Sequence, residues 1–84
     1  MGILAIDVGT SGIRCVVVDR NGSIIDQHYR ECLPLSPQPG FVEFDPRLQA
    51  DVCIELARAA IERVGPVDAI AVTNQRASTV CWDR

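Results

Sequence analysis

Asp7, Thr10, Ser11 and Arg14 fall in one short stretch, Asp7-Val8-Gly9-Thr10-Ser11-Gly12-Ile13-Arg14. These residue types suit the binding of an anion. Gly9 and Gly12 permit backbone conformations that other residues resist. Successive N–H groups in such a turn can form a concave nest for negative charge. Thr10 and Ser11 add hydroxyl donors, and Arg14 adds a permanent positive charge. Asp7 stands where the preceding apolar run ends, placed to meet a metal through water, as Mg²⁺ keeps several of its waters. The turn therefore suits a phosphate chain. It carries neither G-x-x-x-x-G-K-[ST] nor a G-x-G-x-x-G that opens a helix. A glycine-rich hairpin without any ligand would use the same residues, so the elements around the turn have to decide.

Runs 3–6 and 15–18 are unbroken apolar segments on either side of the turn and read as two strands buried on both faces. Asn21-Gly22 marks a second hairpin, of type I′. A more polar third strand follows over 23–30, suited to a sheet edge. His28 on that strand reads as a solvated edge residue with nothing to orient it. Pro34, Pro37, Pro39 and Gly40 exclude helix and central strand and predict an extended loop. Asp45 is a good helix N-cap and Pro46 fits the first helical position. Leu48, Val52, Leu56, Ala60 and Val64, flanked by Cys53, Ala57 and Ile61, give a broad apolar face at helical spacing. Gly65-Pro66 ends that helix. The apolar run 67–72 is short enough for a strand, and a strand reached through a long helix pairs in parallel. Residues 73–78 then follow a carboxyl end, where parallel sheets bind ligands. A last strand is expected over 79–82. The order β-β-β-α-β-β predicts an α/β fold with a mixed five-stranded sheet and the helix on one face.

The chain has 84 residues, 48% of them apolar, and a net charge of −3. That supports one small core and opposes broad electrostatic binding to nucleic acid or anionic membranes. No apolar run approaches the ~20 residues of a membrane span, and the N-terminus has no basic leader. Cys15, Cys32, Cys53 and Cys81 lack the spacing of a zinc site and read as reduced thiols of a cytoplasmic protein.

The first turn resembles the first phosphate loop of the actin, Hsp70 and sugar-kinase superfamily. Two further pieces make the resemblance specific. They are Pro39-Gly40-Phe41-Val42-Glu43-Phe44-Asp45-Pro46 and Thr73-Asn74-Gln75-Arg76. With the first turn, in this order, they resemble the N-terminal part of the FGGY carbohydrate kinases, on the side of the glycerol kinase branch. The resemblance implies an incomplete first kinase domain over 1–84, of ribonuclease H-like (actin-like ATPase) fold. It implies ATP and Mg²⁺ as cofactors, with Thr10, Ser11, Gly12 and Arg14 on the ATP phosphates and Asp7 near the metal. It implies a polyol or sugar as the small-molecule partner, held by Arg76, with position 77 beside it. Glycerol kinases carry a glutamate there that accepts hydrogen bonds from the substrate; this chain has Ala77, so another polyol or sugar is at least as good a candidate. The family's general base lies far downstream, so no catalytic residue is expected within this chain and the 84 residues alone are expected to be inactive. The competing readings are a non-catalytic nucleotide-binding or interaction module of the same fold, and an ATP-driven switch of the Hsp70 or actin kind. An exposed sheet face would favour self-association.

Overall fold

The computed structural model describes residues 2–75 and 80–81. Strands β1 (Gly2–Val8), β2 (Gly12–Asp19) and β3 (Ile24–Glu31) form an antiparallel meander. Helix α1 (Pro46–Val64) crosses over to β4 (Ala69–Thr73), which pairs in parallel with β1. The strand order is β3-β2-β1-β4. Among the described residues the sheet has four strands rather than five. Val80 and Cys81 carry no strand, and the rest of the expected fifth strand lies outside the described residues, as do Arg76 and Ala77.

The core forms where the pleat of β1 and β2 meets the apolar stripe of α1. Leu4, Ile6, Ile13, Cys15 and Val17 point to the helix and meet Val52, Leu56 and Ala60, all buried. Each fully buried aliphatic side chain contributes about 1.5–3 kcal/mol. The opposite face of the sheet is open: Ile3 is 48% exposed, and Asp7 and Arg14 are exposed beside it. This corrects the expectation of strands buried on both faces. The chain supplies one helix, and one helix covers one face. Leu48 is also exposed, because the core cluster starts one turn further on, at Val52.

Local signals explain the element boundaries. The Asp45 carboxylate accepts the N–H groups of Arg47 and Leu48 at 3.0 and 3.3 Å, with Pro46 next in the chain. Gly65 closes the helix at φ 86°. The second hairpin is one residue longer than a type I′ turn. Gly22 N–H donates to Asp19 O and Asp19 N–H to Ser23 O, so Arg20 and Asn21 are the central pair and Gly22 takes the left-handed position at φ 82°. The Asp19 carboxylate accepts from Asn21 and Ser23 N–H and favours this longer turn. Ile25 is left without a partner on β2 between Val17 and Val18, a bulge in the edge strand. The proline-rich loop folds back on itself, with Leu35 and Glu43 exchanging both backbone hydrogen bonds.

Candidate functional site

The register of the sheet assembles the site. Asp7 pairs with Arg14 on one side and Thr73 on the other, and Arg14 pairs with Tyr29. Residues directly opposite across a pleated sheet share a face. Tyr29, Arg14, Asp7 and Thr73 thus form one row across all four strands, on the open face next to the 9–12 turn. Thr10 and Ser11 stand exposed at the tip of that turn. Gly9 N–H donates to Gly12 O at 2.9 Å and closes it.

Gly12 is required by space. A Cβ there would lie 2.8 Å from the Arg30 carbonyl oxygen and closer still to the end of the Tyr29 phenol. Neither Gly9 nor Gly12 has a positive φ; among the described glycines only Gly22, Gly40 and Gly65 do. The expectation of unusual backbone freedom at Gly9 and Gly12 is therefore replaced by close packing. Sequence reasoning passed over Tyr29. Its ring lies 5.1 Å beneath the Arg14 guanidinium carbon, and its hydroxyl donates to Ser11 O at 3.4 Å. An aromatic residue on an otherwise polar strand was the available signal, but only register places it opposite Arg14.

A second loop reaches the turn. Gln75, just past β4, donates its amide to Gly9 O at 3.3 Å. The segment leading to Arg76 is thereby tied to the turn that carries Thr10 and Ser11. Beside Gln75 lies a cleft of about 550 Å³, lined also by Glu43, Phe44 and Gln49. The Gln49 amide nitrogen is buried there without a hydrogen-bond partner.

Four aspartates have distinct surroundings. Asp19 holds the second hairpin and Asp45 caps α1. Asp26 lies under α1 and takes His28 Nε2 at 2.8 Å and Arg63 Nε at 3.1 Å. Desolvation raises the Asp26 pKa, but the His28 hydrogen bond and charge and the Arg63 charge outweigh it and hold this carboxyl below its ordinary value. His28 is thus oriented after all, as part of a clamp between β3 and the end of α1. Asp7 holds no ion pair among the described residues and stands exposed on the open face. No group of three or more His, Cys, Asp or Glu that could hold a metal occurs among the described residues. The cysteines are free thiols. Burial, with Cys53 nearby, pushes Cys15 up to about 11, which makes it an inert core residue. No helix among the described residues is long and apolar enough to cross a membrane.

Comparison with known proteins bears on this geometry. Residues 2–84 match the FGGY family of carbohydrate kinases, N-terminal domain. The chain is 40% identical over 86 residues to glycerol kinase 2 of Thermotoga maritima, and 42% identical over 87 residues to glycerol kinase 2 of Pseudomonas aeruginosa. Each match covers 98% of this chain and 17% of the relative. Among solved structures, a ligand-bound xylulose kinase from Lactobacillus acidophilus superposes with a TM-score of 0.82 at 27% identity, covering 88% of this chain and 15% of that one. The fold is also that of Plasmodium falciparum glycerol kinase with ADP, at a TM-score of 0.84, 23% identity, 89% of this chain and 16% of that one. The chain spans about a sixth of the length of these proteins, and by its sequence match and its fold it belongs to the FGGY family of carbohydrate kinases.

Proposed function

We infer that this chain is the N-terminal portion of an ATP-dependent kinase that transfers the γ-phosphoryl group of ATP to a hydroxyl of a polyol or sugar. Phosphoryl transfer needs little covalent help from the protein; it needs two substrates positioned together and phosphate charge neutralised. The observation that carries the reading is the Gln75 link to Gly9, which brings the segment preceding Arg76 against the turn bearing Thr10 and Ser11. Each reactant then has a place. Thr10, Ser11, Gly12 N–H and the Arg14 guanidinium hold the phosphate chain. Asp7 orients the water shell of Mg²⁺, which when bound neutralises phosphate charge. Arg76, whose guanidinium offers five donors, holds adjacent hydroxyls of the acceptor. The cleft beside Gln75 gives a small polyol room, with the Gln49 amide as an available donor.

Domain boundaries follow from the same reading: 1–84 is the first part of the first kinase domain. The family resemblance puts the general base far downstream, and Asp19, Asp26 and Asp45 are engaged in turn, clamp and cap. Ala77 stands where the family resemblance expects a substrate-binding glutamate, so another polyol or sugar is at least as good a candidate as glycerol. The test is coupled ADP release by the native gene product, screened over glycerol, other polyols and pentoses. Turnover that depends on one of them is the expected result. ATP hydrolysis indifferent to all of them would favour a conformational ATPase, and nucleotide binding without turnover would favour a non-catalytic module.

A further inference from the structure

We propose that Tyr29 is the positioning residue of the phosphate-binding turn, holding Arg14 and the turn's backbone in one arrangement. The inference rests on the assignment of Arg14 to the ATP phosphates. Tyr29 lies directly opposite Arg14 on β3 and diagonal to Gly12. Its ring carries the guanidinium, 5.1 Å from centroid to Arg14 Cζ. Its hydroxyl reaches Ser11 O at 3.4 Å. It can lie this close only because position 12 has no side chain, since a Cβ there would overlap the phenol.

The three contacts make one device. A guanidinium on an open sheet face has many rotamers, and ordering it on binding costs entropy. An aromatic face beneath it attracts the cation and narrows that ensemble without using any of its five N–H donors. Arg14 therefore meets an anion with its donors free and its direction set. The hydroxyl adds to the hold on the turn at the Ser11 carbonyl, which also accepts the Cys32 N–H at 3.0 Å. Tyr29 touches neither reactant and acts through Arg14 and Ser11. Asp7, on the same row, adds a carboxylate across from Arg14. With Tyr29 holding the guanidinium toward β3, Arg14 forms no ion pair with Asp7, and both charges stay available to ligand.

The experiment measures MgATP affinity by calorimetry, and the KM values for ATP and for the acceptor, in the native gene product. Four variants are compared: Tyr29→Leu, Tyr29→Phe, Arg14→Leu and the double variant Arg14→Leu/Tyr29→Leu. Tyr29→Leu is expected to weaken MgATP roughly three- to ten-fold, the range of an ordered cation–ring contact. It should leave the KM of the acceptor unchanged. Tyr29→Phe, which keeps the ring, should restore most of the loss. In the Arg14→Leu background, Tyr29→Leu should change ATP affinity by less than twofold, because the group it positions is gone. Equal losses in both backgrounds, or unchanged ATP affinity in a folded Tyr29→Leu, would overturn the proposal. Arg14→Leu guards against a Tyr29→Leu variant that does not fold: unchanged MgATP affinity in Arg14→Leu would leave Tyr29 no group to position and would also overturn the proposal. Absence of ATP binding by the wild type would instead overturn the kinase assignment on which the proposal stands.

Discussion

Gly12 shows how a single residue can be constrained by its neighbours rather than by its own dihedral angles. Ala at this position would need no unusual φ, yet its methyl would press on the Arg30 carbonyl at 2.8 Å and on the Tyr29 phenol. Gly12→Ala is expected to destabilise the chain by about 1–3 kcal/mol, the usual cost of overpacking, read as a lower urea midpoint. Removing the phenol as well, in Gly12→Ala/Tyr29→Leu, should recover only part of this, because the Arg30 carbonyl belongs to the backbone of β3 and cannot turn away. Complete recovery in the double variant would show that the phenol alone excludes a side chain. The importance of Gly12 is legible in the sequence as a small residue in a tight turn. Its reason is not, because the atoms that crowd it come from a strand more than a dozen residues further on, and only the pairing of β2 with β3 brings them there.

At the scale of elements, periodicity and end signals carried most of the fold. The helix begins at Asp45-Pro46 and ends at Gly65 as its caps dictate, and β4 lies parallel to β1 as the crossover length requires. What stayed hidden depends on contacts between elements. His28 reads as a lone edge residue, yet its Nε2 meets Asp26 beneath α1, where β3 turns its even-numbered side chains to the helix, and Asp26 in turn takes Arg63 from the end of α1. Leu48 has the right spacing for the core and still lies outside it, since periodicity gives a face but not where the underlying sheet stops. The Asp26 clamp gives a pH prediction. In the folded chain this carboxyl is held below 3.8, its ordinary value. The folded state thus takes up the proton less readily than the unfolded one, so the stabilisation is full above that value and is lost as the pH falls through the lower, folded value. Asp26→Asn should lower the unfolding midpoint at neutral pH and flatten its acid dependence. An unchanged acid limb in thermal melts of the variant would remove the clamp from the account of stability.

Taken whole, the molecule has one finished layer and one unfinished one. Helix α1 covers β1 to β3 but not β4, and Ile70 and Val72 on the helix side of β4 are 58% and 66% exposed. Among the described residues β4 pairs on one side only, with β1. In isolation the 84-residue chain is expected to self-associate through this region, and Ile70→Lys should shift sedimentation toward monomer. A wild-type chain that sediments as monomer at high concentration would refute this. The row Tyr29–Arg14–Asp7–Thr73 has a further consequence, for which changes in length this gene can tolerate. The side chains of a strand alternate between faces, so one residue added between Gly9 and Gly12, with the turn held at its present length, would slip β2 by one position against β1 and turn it over. Arg14 would swing beneath the helix and Cys15 would come to the open face. Two added residues would restore the alternation. Insertions that slip the strand rather than lengthen the turn should therefore be tolerated by parity, with even lengths surviving selection and odd lengths lost.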